Sequence, residues 1–105
     1  MGDKAETLLG FAIKSRKLLL GLDNIKNFRG AVYSVFYDGS LSDKSRKELL
    51  FTAAAKKAVV IKCDRAIGEI TGKAGCKAAG LTDGHLHKGI MAELDTLSGY
   101  TKESN

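Results

Sequence analysis

Five basic residues crowd one glycine. Lys14, Arg16 and Lys17 come before Gly21, Lys26 and Arg29 follow it, and Asp23 is the one acid between Lys14 and Arg29. Cations neutralise phosphate, and those placed within a Debye length of about 10 Å of one another add as a single field on a polyanion. Three leucines, Leu18 to Leu20, stop at Gly21, and the polar run LDNIKN follows. A buried strand that ends at a glycine, with a helix starting at once, leaves the first N–H groups of that helix unpaired. They carry partial positive charge, which suits a phosphate or the acceptor edge of a base. The chemistry indicated is non-covalent. Gly21, Asp23 and Asn24 would meet an RNA, and Arg16, Lys17, Lys26 and Arg65 would neutralise its flanking phosphates.

Other residues that could do chemistry do not assemble into a site. His85 and His87 are two apart, which on a helix places them about 200° apart, a poor chelating pair. No further Cys, His, Asp or Glu stands at a recognisable ligand spacing. Gly72-Lys73-Ala74-Gly75 superficially resembles a phosphate loop, but a nucleotide loop runs from strand to helix and ends in Lys followed by Ser or Thr. Here the order is helix to strand, so no nucleotide is expected, and Lys73 is left as a surface phosphate contact. Cys63 and Cys76 have no base or orienting partner by sequence and are expected to be small apolar core residues. No pair of carboxylates stands out for acid–base work. No enzyme, no cofactor and no small-molecule substrate is expected.

The elements that must position these residues alternate strictly. Asp3 to Lys17 reads as a helix, with Leu8, Leu9, Ala12 and Ile13 at helical spacing, and Leu18 to Leu20 as a short buried strand. Asp23 or Asn24 is placed to cap a helix through Arg29, stopped by Gly30. Ala31 to Tyr37, AVYSVFY, is the clearest strand, its aromatics expected in core and sheet. Asp38-Gly39 turns the chain. Ser42 caps a long helix to about Lys57 with an apolar stripe of Leu49, Leu50, Ala53 and Ala54. A strand Ala58 to Lys62 follows, then a short helix capped by Asp64 and ended by Gly72, and a weaker strand Cys76 to Leu81. Thr82 or Asp83 caps a last helix carrying Leu86, Ile90, Met91, Leu94 and Leu97 on one face. The predicted fold class is α/β, a three-layer α-β-α sandwich with a mixed sheet of about four strands and helices on both faces. One domain is expected over residues 1–97, followed by a polar, disordered tail over 98–105.

Bulk properties agree with a polyanion partner. The chain of 105 residues has net charge +5 and a pI near 9.3, with 44% hydrophobic and 28% charged residues. No run of about 18 apolar residues suggests a membrane span. No charged segment followed by an apolar stretch opens the chain. A cytoplasmic protein with reduced thiols is the expectation.

Four segments in this order resemble the L-seven-Ae / L-thirty-e ribosomal protein family, whose members bind kink-turn RNA. LLGFAIKSRKLLLG, Leu8 to Gly21, is similar to the opening helix with its basic end and the strand leading to a glycine. GLDNIKN, Gly21 to Asn27, stands at the place of the RNA-reading loop. RAIGEITG, Arg65 to Gly72, is similar to the family's short glycine-containing helix. GLTDGHLHKGI, Gly80 to Ile90, is similar to the final strand and helix start of small bacterial members. The resemblance implies a non-catalytic protein that binds a structured, bent RNA, ribosomal or another non-coding RNA, and associates with the ribosome. It implies RNA contacts at Gly21, Asp23, Asn24 and Asn27, and a second contact region at Lys62, Cys63, Asp64 and Arg65. Within the family pattern of Gly, any residue, Asn, Glu and a later Lys, this chain keeps the glycine alone. Asp23 removes amide donors, Asn24 removes a charge that favours guanine's donors, and Asn27 removes a phosphate contact with Lys26 next to it. Those departures motivate the alternative of a protein-interaction or assembly module on the same fold.

Overall fold

The computed structural model describes residues 4–94 and 99–103. In chain order the elements are α1 (Lys4–Lys14), β1 (Leu18–Leu20), α2 (Leu22–Asn27), β2 (Ser34–Asp38), α3 (Asp43–Lys56), β3 (Val59–Cys63), α4 (Ile67–Thr71), β4 (Ala78–Leu81), α5 (Gly84–Leu94) and β5 (Tyr100–Lys102). The strands form one mixed sheet in the order β1-β4-β2-β3-β5. β2 and β3 are parallel, joined by the α3 crossover, and the remaining neighbours are antiparallel.

Alternation along the strands sorts the core into two layers. Phe36, Ile61, Cys63, Ala79 and Leu81 face α1, α4 and α5, packing with Leu9, Ala12, Ile67, Ile90 and Leu94. Val35, Tyr37, Val60 and Ala78 face α2 and α3, packing with Ile25, Leu49 and Ala53. All five residues of β2 are buried, as a strand with neighbours on both sides and helices on both faces requires. The three-layer α/β sandwich is therefore as expected.

The sheet has five strands rather than about four. Tyr100–Lys102, placed by the sequence in a disordered tail, pairs with the edge of β3, with Tyr100 opposite Cys63 and Lys102 opposite Ile61. Tyr100 is buried, which explains the difference: one aromatic in a polar segment is enough to seat it on an apolar edge. Ser98 and Leu97 lie outside the described residues.

Helix ends differ from expectation where a distant residue supplies the cap. Ser42 caps α3 as predicted, its Oγ accepting from the Ser45 N–H at 3.2 Å. Asp83 Oδ1 accepts from the Leu86 N–H at 2.9 Å, so Asp83 rather than Thr82 caps α5. Asp64 does not cap α4. That helix starts after Ala66, and its Ile67 N–H donates to Asp38 Oδ2 at 2.7 Å, from the end of β2. Burial works against the Asp38 charge, but hydrogen bonds from Ser40 and Ile67 outweigh it and hold the carboxyl below its ordinary range. Neither Asp23 nor Asn24 caps α2, whose N-cap is Gly21 without a side-chain bond, and its C-cap is Phe28 rather than Gly30. Along α3, Leu49 and Ala53 are buried, Leu50 is half-buried and Ala54 is exposed, so the predicted stripe is narrower by one residue.

Candidate nucleic-acid interface

Gly21 stands at the end of the sheet where several chain segments converge. Leu20 is opposite Ala79 in the antiparallel β1–β4 pair, and Gly21 donates its N–H to the Ala78 carbonyl at 2.9 Å. β2 and β3 finish at the same end, since Tyr37 is opposite both Ala78 and Lys62. Gly21 has φ 96°, and no atom lies within 4 Å of where its Cβ would stand. The backbone angle, not crowding, demands glycine for the swing from β1 into α2.

The turn between α4 and β4 returns to this point. Lys73, Ala74, Gly75 and Cys76 face Leu20 and Gly21 across a depression of about 240 Å³. Gly68 on α4 allows that approach, because a Cβ there would stand 2.9 Å from the Lys73 carbonyl oxygen and 3.4 Å from the Gly75 nitrogen. Lys73 and Lys77 are exposed on this turn. Gly72 to Gly75 does not have the order of a nucleotide loop, and Lys77 belongs to no motif in the sequence. The available signal was the density of glycine and lysine, not the order of a nucleotide motif.

Around Gly21, α2 places Asp23, Asn24, Lys26 and Asn27, all exposed. The Asn24 amide donates from Nδ2 to the Leu20 carbonyl at 2.7 Å, closing β1 onto α2, so its donor is engaged by its own backbone. Lys26 pairs with Glu48 of α3 at 3.4 Å, with both side chains about two-fifths exposed at 43% and 42%. The other expected region, Lys62 to Arg65, lies at the same end but three strand spacings from Gly21, about 14 Å at about 4.8 Å per strand. Lys62, Asp64 and Arg65 are exposed there while Cys63 is buried, and Arg65 reaches Glu69 at 3.9 Å.

Arg16 and Lys17 are not part of this cluster. They precede β1, whereas Gly21 follows it, and the four residue steps from Lys17 to Gly21 span about 13 Å. Lys17 accepts from the Thr82 N–H and hydroxyl at 2.8 and 2.9 Å, beside the start of α5. The helix N-terminus they adjoin is thus that of α5, not α2. A hydrogen bond from the Leu86 N–H, partly opposed by desolvation, lowers the Asp83 pKa there, helped by the His85 amide and by the charges of His85 and Lys17. Arg16 has φ 59°, with its N–H on the Ile13 carbonyl and the Lys17 N–H on the Ala12 carbonyl, a Schellman end to α1.

The remaining chemistry-bearing side chains lie elsewhere. Neither cysteine is in a disulfide and both are buried, and the Cys76 thiol contacts the Ala78 carbonyl at 3.2 Å. His85 is exposed, while His87 is half-buried against Tyr33, with ring centroids 5.9 Å apart. Phe36 and Tyr37 are core residues, but Tyr33 is 40% exposed rather than a core residue. Among the described residues, no helix is long and apolar enough to cross a membrane.

No family model matches this sequence, and no curated protein matches it. The backbone is similar to a solved structure described as a protein with unknown function from Bacillus halodurans, with a TM-score of 0.74 and 24% identity. The match covers 90% of this chain and 99% of that one, so the fold is shared over nearly the whole length of both.

Proposed function

We propose that this chain is a non-catalytic RNA-binding protein that grips a kink-turn or similarly bent structured RNA at the end of the sheet marked by Gly21. One observation supports the reading: Leu20 and Gly21 on one side and Lys73 to Cys76 on the other, distant in sequence, line one depression. Gly21 lets a nucleotide approach the backbone closely, and Lys73 and Lys77 supply the phosphate charges assigned from the sequence to Arg16 and Lys17. Lys62 and Arg65 lie far enough along the same end to meet a phosphate on the second arm of a bent duplex. Ribosomal RNA or another folded non-coding RNA has the required shape, and the resemblance to kink-turn-binding ribosomal proteins agrees with it.

The test is a titration of labelled kink-turn RNA beside an unbent duplex of the same composition, at two salt concentrations. Selective binding to the bent RNA is expected, with log K falling by about 0.9 per log unit of salt for each phosphate neutralised. Lys73→Ala should reduce that slope by about one, while Lys17→Ala leaves it nearly unchanged. Equal affinity for both RNAs, or no salt dependence, would sink the proposal.

A protein-interaction or assembly module is the second reading. It is favoured by the Asp23 carboxylate beside Gly21 and by the Asn24 amide already bonded to Leu20. That reading expects a co-purifying protein partner and indifference to kink-turn RNA.

A further inference from the structure

The outer surface of α3 carries a second feature. Phe51 is 78% exposed, the most exposed large apolar side chain among the described residues. It lines a groove of about 630 Å³ with Lys26, Lys47, Glu48, Thr52 and Ala55. Helical spacing puts Lys44, Lys47, Phe51 and Ala55 on one stripe, each turn advancing about 5.4 Å. The groove's one carboxylate, Glu48, already pairs with Lys26. What the groove offers a ligand is one open aromatic face beside Lys47, which makes no ion pair among the described residues, with the exposed Lys44 a turn before it towards the start of α3.

We propose that this groove stacks an unpaired RNA base on Phe51 while Lys47 and Lys44 hold the adjoining phosphates. Charge complementarity selects the class, since the stripe is cationic and the chain carries net charge +5. Size selects a base over a helical peptide. A docked amphipathic helix needs several apolar anchors spaced along a groove, and here one ring is flanked by alanine and threonine. A base needs one planar face, and aromatic stacking tolerates any base. The assignment rests on the RNA reading above, and α2 connects the two places. Gly21 and Lys26 are five residues apart, about 7.5 Å along a helix, so a strand leaving the bent RNA at Gly21 reaches the groove within about three nucleotides at about 3.4 Å per step.

The chain contains no tryptophan, so Phe51→Trp in the full-length protein provides a single fluorescent reporter on an exposed helix surface. Three probes are used: kink-turn RNA with a six-adenosine overhang, the same RNA without it, and an unbent duplex with the overhang. The expected result is quenching of the tryptophan by the overhang-bearing RNAs and not by the trimmed one. The overhang should also tighten binding of the unsubstituted protein by about fivefold or more, a gain lost in Phe51→Ala and reduced in Lys47→Ala. Overhang-independent affinity with unchanged emission would overturn the proposal. So would an emission shift that tracks protein concentration without RNA, which would assign the groove to a second copy of the chain. Failure of kink-turn recognition gives a different signature: bent and unbent overhang RNAs then bind alike while quenching persists. Absence of binding to any probe overturns both.

Discussion

His87 shows how much a single side chain's surroundings decide. Its Nδ1 is buried and has no partner among the described residues. Burial first, and then the Lys102 charge, lowers its pKa from the ordinary histidine value. The unfolded chain keeps the ordinary value of about 6.5, so below that pH the unfolded state takes up more protons than the folded one. The stabilising contribution is complete above about pH 6.5 and is lost as pH falls from there towards the lower folded value. Thermal unfolding recorded between about pH 7.5 and pH 5 should therefore show a decline that His87→Leu removes. An identical decline in the variant would assign the effect to other groups. From sequence, His85 and His87 look alike. Their difference arises because α5 turns one outward and lays the other on Tyr33, which its spacing alone does not specify.

Between elements, the close approach of α2 to the sheet depends on a glycine in β4. A Cβ on Gly80 would stand 3.0 Å from Ile25 Cγ1 and 3.4 Å from Val32 Cγ1, and both residues are fully or nearly fully buried. Gly80→Ala should destabilise the protein by about 1–3 kcal/mol through this overpacking, measured by chemical denaturation. Because Gly21 caps α2 and Asn24 lies on it, the same change should also weaken RNA binding. A variant as stable as the parent would show that α2 can shift outward without loss. Helix caps were legible only where the capping residue is a neighbour in sequence. Ser42 and Asp83 follow that rule, since each bonds a backbone N–H three residues on. Asp38 does not: it caps α4 from 29 residues away in sequence, and a local reading of Asp38-Gly39 finds only a turn.

On the scale of the whole molecule, β5 closes the sheet against β3. Its pairing extends past the strand, with the Asp64 N–H on the Gly99 carbonyl and the Glu103 N–H on the Val60 carbonyl. Glu103 also accepts from the Tyr37 hydroxyl. Burial above all, and then that hydrogen bond and charge, push the Tyr37 pKa up to about 12, so the hydroxyl remains a donor at neutral pH. Deleting residues 99–105 would expose the β3 edge and part of the core beneath Tyr100. The expected cost is about 2 kcal/mol or more from the lost aromatic burial, together with concentration-dependent association through the bared edge. Denaturation and light scattering would measure the two effects, and an unchanged, monomeric truncation would refute this role for β5.

The sequence by itself determined the alternation of helices and strands and the sandwich they make. Apolar periodicity and glycine punctuation are local signals, and a run such as AVYSVFY, rich in β-branched and aromatic residues, favours a strand by its own composition. It also located the turn at Gly21, where the positive φ is a property of one residue. Only the tertiary structure decided which charges share a surface. Arg16 and Lys17 are four or five residues from Gly21 in sequence, yet β1 carries them to the opposite end of the sheet. Lys73 is 52 positions away, yet the antiparallel pairing of β1 with β4 brings its turn back beside that glycine. Sequence distance measures length along an extended strand, whereas strand pairing sets distance across the sheet, and the candidate interface is built across the sheet.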